Sequence, residues 1–428
     1  MTHVSRRSAL VLAGTLGSLL AAAPPAAAQQ QAPPVAAEQQ TAPPAAQQPA
    51  PLPPGSPLIG RPDTAAAQKL APIAPPPIPV AADKLPLDKL KAPKGFTIDV
   101  YASGVDNART LRLGDKGTVF VSSRLKDKIH AIVDKGGKRE VKVVASGLHR
   151  PNGIVLHKGT LYIAELSQIS KIDNVEDNLD NPPKPTVIFS NLPKDEGHGW
   201  KFLTVGPDEK LYFQVGAPCN ICMPSERHAK IYRLNLDGSG LEVVASGIRQ
   251  IVGMDWHPTS KQLYFTENQR DWLSEDVPED KLNRVTQPGK DNFGFPYCHQ
   301  GNIPDQEFGW GHSCNEFTKP IALLGPHSAA LGMRFYTGTM FPEKYRGAIF
   351  STQHGSWNRT VPVGARVMVT FLKPDGHVAG KSEPFAEGWN DNGYYLGRPV
   401  DVAQLHDGSI LVSDDLVGAL YRIWYDGK

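Results

Sequence analysis

The sequence predicts an all-β fold, a six-bladed β-propeller that occupies residues 92–428 of a 428-residue chain. A unit of short strand, glycine turn, apolar strand, turn and third strand recurs about six times, with the period of roughly 40 to 50 residues typical of propeller blades. Each unit alternates apolar and polar residues, and no amphipathic helix of useful length interrupts the series. The repeats fill a length suited to one large all-β domain or two smaller ones.

The amino terminus has the features of an export signal. Arg6 and Arg7 precede an apolar run at residues 9–23, and small residues continue to Ala28. This pattern predicts a secretory signal peptide over residues 1–28 with an Ala-x-Ala cleavage site at its end, and hence a periplasmic or secreted protein. Paired arginines favour the twin-arginine route, which exports folded proteins; the alternative is an ordinary signal with an incidental arginine pair.

Composition separates the next segment from the folded domain. Residues 29–91 are rich in Ala, Pro and Gln, which cannot bury a core, so we expect a disordered or semi-extended linker. Beyond the signal, no stretch has the ~18 consecutive apolar residues that a membrane-spanning helix needs. The formal net charge of +2 gives no basic excess for a phosphate backbone and argues against a nucleic-acid partner.

The repeat also indicates how the propeller closes. It is clearest at residues 147–165, 247–267 and 397–423. We expect an early strand at residues 96–101 to complete the last blade, because closure of the ring removes exposed sheet edges.

Basic side chains and imidazoles recur at one position of the repeat. The inner strands of a propeller line a central channel, and the loops before them face one of its mouths. The residues predicted at this position are His149, Arg150, His198, Lys201, Arg249 and Arg398. A ring of cationic side chains suits a ligand that carries several carboxylates. The alternatives are a structural histidine at position 198 that caps a strand, and arginines that form surface salt bridges.

Several segments together are specific enough to indicate a family. They are residues 198–212, 215–222, 266–273, 355–359 and 397–401. With these segments the chain resembles the soluble quinoprotein sugar dehydrogenases, most closely their sorbosone dehydrogenase-like branch, over nearly all of residues 92–428. The resemblance implies a six-bladed propeller that holds pyrroloquinoline quinone (PQQ) and Ca²⁺ at one end of the channel. It also implies oxidation of a sugar or a related aldose or polyol, with an unknown electron acceptor such as a cytochrome or a quinone.

The resemblance implies a role for individual residues. His198 matches the catalytic base that removes the hydroxyl proton of the substrate, which requires a pKa near the operating pH. Arg249 matches the arginine beside the quinone, where it would stabilise developing negative charge. The implied cofactor contacts are Arg398, Arg359, Lys201, His354 and Asn268, with Lys201 alternatively structural, and the implied calcium ligands lie at Gln269 and Arg270.

Two departures from the family pattern affect these roles. Ala217 stands where glucose-oxidising members have the aspartate that orients the histidine, so another group must orient His198. Residues 267–270 replace the turn whose backbone carbonyls bind Ca²⁺ in those enzymes, and backbone ligation tolerates that change. The acidic run at residues 271–280 is either a solvated loop or a second way to bind Ca²⁺, through side-chain oxygens.

The four cysteines suit an oxidising compartment. We expect a structural disulfide between Cys298 and Cys314, because it would tie a long loop. Cys219 and Cys222 would close a tight loop near the site or form a redox pair, and a four-cysteine zinc site is a further alternative.

Two other classes of function compete with a dehydrogenase. A Ca²⁺-dependent hydrolase of the lactonase type needs carboxylates and asparagines that converge on the axis, whereas this axis is predicted to be basic. A non-catalytic propeller would bind a partner or a polysaccharide across one mouth.

The export route can be tested directly. If the twin-arginine route is used, replacing Arg6 and Arg7 together by lysine should block secretion, because that signal requires the arginine pair. Export is measured as the fraction of mature protein in the periplasm or medium. Undiminished export of the double variant would show that the general route is used.

Overall fold

The computed structural model describes residues 76–428 and, ahead of them, residues 61, 62, 64, 65 and 67. The predicted signal peptide and most of the predicted linker lie outside the described residues. In the described part of the chain, strands form six four-stranded antiparallel sheets and two short hairpins, so the predicted six-bladed β-propeller is confirmed.

The blades follow one another along the chain. Strand β1 (Phe96–Ser103) comes first, and blade 1 comprises β2 (Ala108–Leu113), β3 (Val119–Ser123), β4 (Lys128–Lys135) and β5 (Lys138–Ser146). Blade 2 comprises β6 (Gly153–His157), β7 (Thr160–Ala164), β8 (Ile169–Ile172) and β9 (Thr186–Phe189). Blade 3 comprises β10 (Leu203–Val205), β11 (Lys210–Val215), β12 (Lys230–Asn235) and β13 (Glu242–Ser246).

The second half adds the two hairpins. Blade 4 comprises β14 (Gly253–Trp256), β15 (Leu263–Glu267), β16 (Glu279–Arg284) and, after the hairpin β17 (Cys298–His299) and β18 (Ile303–Pro304), β19 (Ala322–Pro326). Blade 5 comprises β20 (Ala330–Phe335), β21 (Ile349–Gln353), β22 (Arg366–Thr370) and β23 (Glu383–Ala386), followed by the hairpin β24 (Asn390–Asp391) and β25 (Tyr394–Tyr395). Blade 6 comprises β26 (Pro399–Gln404), β27 (Ile410–Asp414), β28 (Ala419–Tyr425) and β1. Short 3₁₀ helices occupy Ala82–Lys84, Arg124–Lys126, Val175–Asp177, Cys314–Glu316 and Glu343–Tyr345.

The first strand closes the ring, as predicted. β1 pairs with β28 in antiparallel register from Phe96 opposite Tyr425 to Ser103 opposite Ala419. The innermost strands β2, β6, β10, β14, β20 and β26 contact one another in cyclic order. Closure therefore joins the two ends of the folded domain within one sheet, which leaves no open edge between the first and last blades.

The hydrophobic core is divided among the blade interfaces. Each of the six interfaces has its own cluster of buried apolar side chains, contributed by the facing sheets of two neighbouring blades. The interface of blades 5 and 6 is the most aromatic, with Phe341, Phe350, Phe385 and Trp389 among its buried side chains. Because each blade packs on both neighbours, the loops at the channel mouth are anchored by rigid sheets.

Packed structure begins ahead of Ala92, the predicted start of the domain. The Ile78 and Val80 amides donate to the carbonyls of Leu416 and Val417 at 2.7 and 3.0 Å. The Leu85 side chain is only 6% exposed and belongs to the core cluster of blades 5 and 6. The last part of the predicted linker is therefore a strap that packs on blades 5 and 6 and begins, with Pro76 and Pro77, at a cavity in one mouth of the channel.

The contribution of this strap to stability can be measured. Leu85→Ala should lower the free energy of unfolding by about 2–3 kcal/mol, because it removes buried methyl groups from a packed cluster. Urea denaturation monitored by tryptophan fluorescence gives the value. The control is Ile78→Ala in the same segment, where the side chain is 61% exposed and a change below about 0.5 kcal/mol is expected. Equal stability of the Leu85 variant and the parent protein would contradict the packing.

Candidate functional site

A cavity of about 570 Å³ opens at one mouth of the channel. Its wall is built from the loops that precede the inner strands and the loops that follow the second strands of the blades. Six of the predicted site residues line it together: His198, Arg249, Asn268, Gln269, His354 and Arg398. The structure therefore brings these six predicted residues together at one cavity.

Buried carboxylates fix the loops that carry two of these arginines. Glu267, the last residue of β15, accepts a hydrogen bond from the backbone N–H of Arg249 at 3.0 Å. Asp414, the last residue of β27, accepts one from the backbone N–H of Arg398 at 2.9 Å. Both carboxylates are fully buried. In blades 4 and 6, the carboxylate at the end of the second strand therefore positions the loop that precedes the first strand.

Glu267 is also the centre of a buried polar network. Its carboxylate forms an ion pair with Lys281 at 2.9 Å, and the two side chains are 0% and 1% exposed. It accepts further hydrogen bonds from Asn283 at 2.8 Å and Gln269 at 3.1 Å. Burial of a charge is costly unless it is paired and hydrogen-bonded, and here both conditions are met. The network rigidly places Arg249 and Gln269 at the cavity.

His198 is oriented by a backbone carbonyl instead of an aspartate. Its Nδ1 lies 2.8 Å from the carbonyl oxygen of Ala217. A carbonyl oxygen only accepts, so Nδ1 carries the proton and Nε2 has a free lone pair. Gly216 allows this arrangement, because a Cβ atom there would lie 2.6 Å from the His198 carbonyl oxygen. The residue that replaces the family's aspartate thus holds the histidine through its main chain.

The surroundings of His198 keep its imidazole neutral. Burial, followed by the charge of Arg249, lowers its pKa to about 3, against the opposing effect of the Ala217 and Cys219 carbonyls. The resemblance predicts that the pKa of His198 is near the operating pH. In the structure its pKa is lower, so its imidazole is neutral across the physiological range. A neutral imidazole can accept a proton, although with less driving force.

The Arg249 side chain is held by groups from two loops. Its Nε and Nη2 donate to the backbone and side-chain oxygens of Asn220, each at 2.9 Å, and Nη2 also donates to Asp271 at 2.9 Å. Burial lowers its pKa while Asp271 raises it. Asp271 accepts in addition from Asn358 at 2.8 Å. The first residue of the acidic run is therefore part of the site wall.

The other end of the acidic run is fully buried, whereas Asp271 is half-buried. Asp280 accepts from the backbone N–H groups of Gln269 and Ala330, each at 3.0 Å, and burial raises its pKa to about 6. Asp276 between them is exposed. The interpretation of residues 271–280 as a solvated loop therefore holds for the middle of the run and is wrong for its two ends.

Arg398 is buried against carbonyl groups. Its Nε donates to the His354 carbonyl at 3.0 Å and its Nη2 to the Gly355 carbonyl at 2.8 Å. Among the described residues it forms no ion pair with a carboxylate, and burial lowers its pKa. A buried guanidinium with no carboxylate partner is suited to bind an anion.

His354 is tied to a second arginine through Asp415. Its Nε2 lies 2.8 Å from Asp415, and Arg109 donates to the same carboxylate at 2.7 Å. Although burial alone would raise it, the pKa of the Asp415 carboxyl is lowered by His354 and Arg109. Burial and then Arg398 lower the pKa of His354 to about 4. Asp415 therefore stays ionised and His354 stays neutral.

The structure does not bring three predicted site residues to the cavity. The Lys201 ammonium donates to the carbonyls of Leu166 and Pro193, the latter at 2.9 Å, and burial lowers its pKa to about 7. Its alternative, structural interpretation therefore fits the geometry. Arg359 pairs with the exposed Asp276 at 3.2 Å.

The guanidinium of Arg270 also lies away from the cavity, in a buried ion pair with Asp305. His149 and Arg150 belong to the ring predicted from the sequence, but neither lines the cavity. The His149 side chain is exposed, and Arg150 lies 3.8 Å from Glu196 outside the cavity wall.

Other residues of the cavity wall were missed from the sequence. Arg124 lies after β3 with its guanidinium carbon 4.2 Å from the centre of the Trp200 ring. Asn107, Arg109 and Asp415 complete the wall beside it. Arg124 follows a second strand, as Asn268 does, so its position in the repeat is the signal that could have indicated it.

Both cysteine pairs are disulfides. Cys298–Cys314 is confirmed, and Cys219–Cys222 closes a tight loop, with Cys219 in the cavity wall. Since all four cysteines are bonded, the four-cysteine zinc site is excluded.

The geometry gives no side-chain site for a metal in the described residues. No group of three or more His, Cys, Asp or Glu side chains is placed to hold an ion there. The Gln269 amide is engaged at both ends, since its oxygen accepts from Gln300 at 3.0 Å and its nitrogen donates to Glu267. Ligation by the backbone carbonyls of Gln269 and Arg270 stays a prediction.

Fold and site define a class, a six-bladed propeller with an arginine- and histidine-lined cavity at one channel mouth. The chain belongs to the TrAA12-like family, whose sequence pattern matches residues 90–425. It is 31% identical over 365 residues to an uncharacterized protein of Borreliella burgdorferi, covering 82% of this chain and 94% of that protein. It is 25% identical over 182 residues to quinoprotein glucose dehydrogenase B of Acinetobacter calcoaceticus, covering 36% of this chain and 37% of that enzyme.

Solved structures share the fold. The PQQ domain of pyranose dehydrogenase from Coprinopsis cinerea, in its holo form, matches 83% of this chain and 99% of its own, with a TM-score of 0.68 at 20% identity. A calcium structure of a family AA12 enzyme from Trichoderma reesei matches 78% and 96%, with a TM-score of 0.67 at 17% identity. The resemblance to the PQQ-dependent sugar dehydrogenases is thereby confirmed. Within the described residues no helix is long and apolar enough to cross a bilayer.

The neutral state of His198 can be observed directly. In cofactor-free protein labelled with ¹⁵N-histidine, His198 should keep a single proton, on Nδ1, from pH 8 down to pH 5. The expectation follows from a pKa of about 3. Because that pKa lies below the ordinary 6.5, the unfolded chain binds the proton first, and this histidine destabilises the fold as the pH falls below 6.5. The control is the urea-denatured protein, and a native titration midpoint near 6.5 would contradict the assignment.

Proposed function

We propose that this protein is a PQQ-dependent oxidoreductase that oxidises a sugar or a related aldose or polyol at a CH–OH group. The proposal rests on one observation. The same cavity contains a neutral histidine, whose Nε2 carries no proton, and two arginines that differ in whether they form an ion pair with a carboxylate. Arg249 is paired with a carboxylate and Arg398 is not. The holo PQQ domain that shares the fold supports the same chemistry.

The donors of the cavity wall fit PQQ. The cofactor carries carboxylates and quinone oxygens, which are acceptors, and the arginines are donors. Arg398 is buried on two carbonyls and forms no ion pair with a carboxylate among the described residues, so a carboxylate of PQQ could bind it directly. Asn268 and His354 line the same cavity and would contact the ring system. When bound, PQQ would supply an acceptor for hydride.

The proton is handled by His198. Its Nε2 is free to accept, because the Ala217 carbonyl holds the proton on Nδ1. Proton transfer from the substrate hydroxyl would make an imidazolium beside Arg249, which disfavours that charge. Negative charge that develops in the same cavity would offset the repulsion. His198 by itself is thus a weak base. It becomes a stronger base when an anionic group is bound nearby, because that group stabilises the imidazolium.

Calcium would be held by main-chain oxygens at Gln269 and Arg270. Support comes from the calcium structure of the Trichoderma reesei enzyme and from the preference of Ca²⁺ for carbonyl oxygens. The two disulfides suit an oxidising compartment, in agreement with a periplasmic or secreted enzyme. We propose a small-molecule sugar as substrate and leave the electron acceptor as a cytochrome or a quinone.

A hydrolase of the lactonase type is less well supported. Such an enzyme needs carboxylates free to hold Ca²⁺ on the axis. Of the three carboxylates in the described cavity wall, Asp271 and Asp415 are bound by Arg249 and Arg109, and Asp280 accepts from the backbone N–H groups of Gln269 and Ala330.

Cofactor dependence is the primary test. Purified protein should be inactive without PQQ and should reduce a dye with an aldose once PQQ and Ca²⁺ are added. Binding is measured independently by isothermal titration calorimetry. No PQQ binding at micromolar cofactor by correctly folded protein would overturn the proposed function.

Variants separate the roles of the site residues. His198→Gln should keep PQQ binding and lower turnover by about 10² to 10⁴-fold, the usual effect of losing a positioned base. Arg398→Ala should weaken PQQ binding by about 10- to 100-fold, because it removes a charge-assisted contact. The control is His377→Gln, an exposed histidine between β22 and β23. Full turnover by the His198 variant would place the base elsewhere, with His354 as the next candidate.

A further inference from the structure

One cationic residue of the cavity wall is not used by the proposed function. Arg124 follows β3, in the 3₁₀ helix Arg124–Lys126 of blade 1. It forms no hydrogen bond or ion pair with any residue that the structure describes, and its Nε is buried without an acceptor. Its guanidinium carbon lies 4.2 Å from the centre of the Trp200 ring, and the carboxylates of Asp415 and Glu196 act on it without forming an ion pair. The arginine is thus held in place with its donors unfilled.

The other three arginines of the described cavity wall differ from it. Arg109 and Arg249 pair with carboxylates at 2.7 and 2.9 Å. Arg398 is held by two carbonyls and is already assigned to the cofactor. Arg124 therefore offers a second anion-binding point in the same cavity. A guanidinium stacked on an indole keeps its planar N–H edge available to a carboxylate in bidentate geometry.

A second unfilled donor belongs to the same corner. The Asn107 side-chain oxygen accepts from the Leu125 amide at 2.8 Å, which ties Asn107 to the loop that carries Arg124. Its Nδ2 is buried without an acceptor among the described residues. Both residues line the cavity. A ligand group bound there would have to accept hydrogen bonds, because both unfilled groups are donors. A negative charge on that group would also be favoured by the guanidinium of Arg124.

The corner is close to the proposed base. The Trp200 ring that carries Arg124 is also near His198, with ring centres 6.4 Å apart. One indole therefore bridges the base and the unpaired arginine. Because both groups lie against the same ring in one cavity, a single ligand could have one end at His198 and its opposite end at Arg124.

We propose that the substrate is an acidic sugar, a hexuronic acid, whose carboxylate binds Arg124 and Asn107 while its C1 hydroxyl faces His198. This inference rests on the proposed function and specifies its substrate class. C1 gives a hydride to the quinone acceptor, and its hydroxyl gives a proton to His198. The C1–O bond becomes the carbonyl of a lactone. The acceptor, with the hydride and the proton released by His198, becomes the quinol.

The test compares charged and neutral sugars on two arginine variants. In protein loaded with PQQ and Ca²⁺, Arg124→Leu should lower kcat/KM for glucuronate and galacturonate by about 10- to 100-fold, the usual cost of losing a charged hydrogen bond. It should leave glucose and galactose within about twofold, a change too small for a lost charged contact. Arg124→Lys should recover part of the loss, because it keeps the charge.

The matched control is Arg139→Leu. Its guanidinium carbon lies 4.1 Å from the Tyr101 ring, so it has the same stacked geometry outside the cavity wall. This variant should leave both classes of sugar unchanged. Calorimetric titration of glucuronate into each variant gives a second readout that needs no turnover.

The outcomes separate this inference from the proposed function. Loss of PQQ affinity in Arg124→Leu, or an equal loss for neutral and acidic sugars, would make Arg124 a cofactor or structural residue and overturn the inference. Tighter binding of glucose than glucuronate by the parent protein would also overturn it. PQQ-dependent oxidation of neutral sugars alone would leave the proposed function intact. Arg124-dependent glucuronate binding without PQQ binding would support the acidic-sugar site and overturn only the dehydrogenase.

Discussion

The site depends on one repeated interaction, a buried carboxylate at the end of a second strand that accepts the backbone N–H of a loop residue before a first strand. Glu267 and Asp414 hold Arg249 and Arg398 in this way in blades 4 and 6, and Glu165 does so in blade 2 at 2.7 Å. Because the carboxylate binds the backbone N–H of the loop residue, it fixes the loop regardless of which side chain that residue carries. A propeller can therefore change the side chains at its mouth without rebuilding the sheets beneath.

The three carboxylates are not equally compensated. Glu267 has the buried Lys281 as its ion-pair partner. Asp414 has backbone N–H donors only in the described structure, and burial raises its pKa to about 7. The blade 4 loop is thus held by a buried ion pair and its hydrogen bonds. The blade 6 loop, which carries Arg398, is held by a carboxyl whose charged form is disfavoured by burial, so protonation of Asp414 favours the folded protein as the pH falls below about 7.

The fold was predictable because strand alternation and repeat spacing are local signals, and six repeats make them redundant. The site was predictable at positions that the repeat places at the mouth, such as His198, Arg249 and Arg398. Lys201 stands close to that position and still points to the carbonyls of Leu166 and Pro193, because side-chain direction depends on neighbouring loops. The orienting group of His198 was invisible for a related reason: it is a main-chain carbonyl, and any residue at position 217 supplies one.

Charge pairing divides the cavity wall into two functions. Arg109 and Arg249 are paired with Asp415 and Asp271, so part of their charge is compensated within the protein. Arg398 and Arg124 form no ion pair with a carboxylate in the described residues. A cation withdrawn from water without such a pair is costly to the fold, and this cost is larger for the buried Arg398 than for the half-buried Arg124. An anion that binds to these arginines would offset the free-energy cost of desolvating them. That gain would contribute to the affinity for the ligand. Since the two unpaired arginines lie in different blades, the cavity is prepared for more than one anionic group.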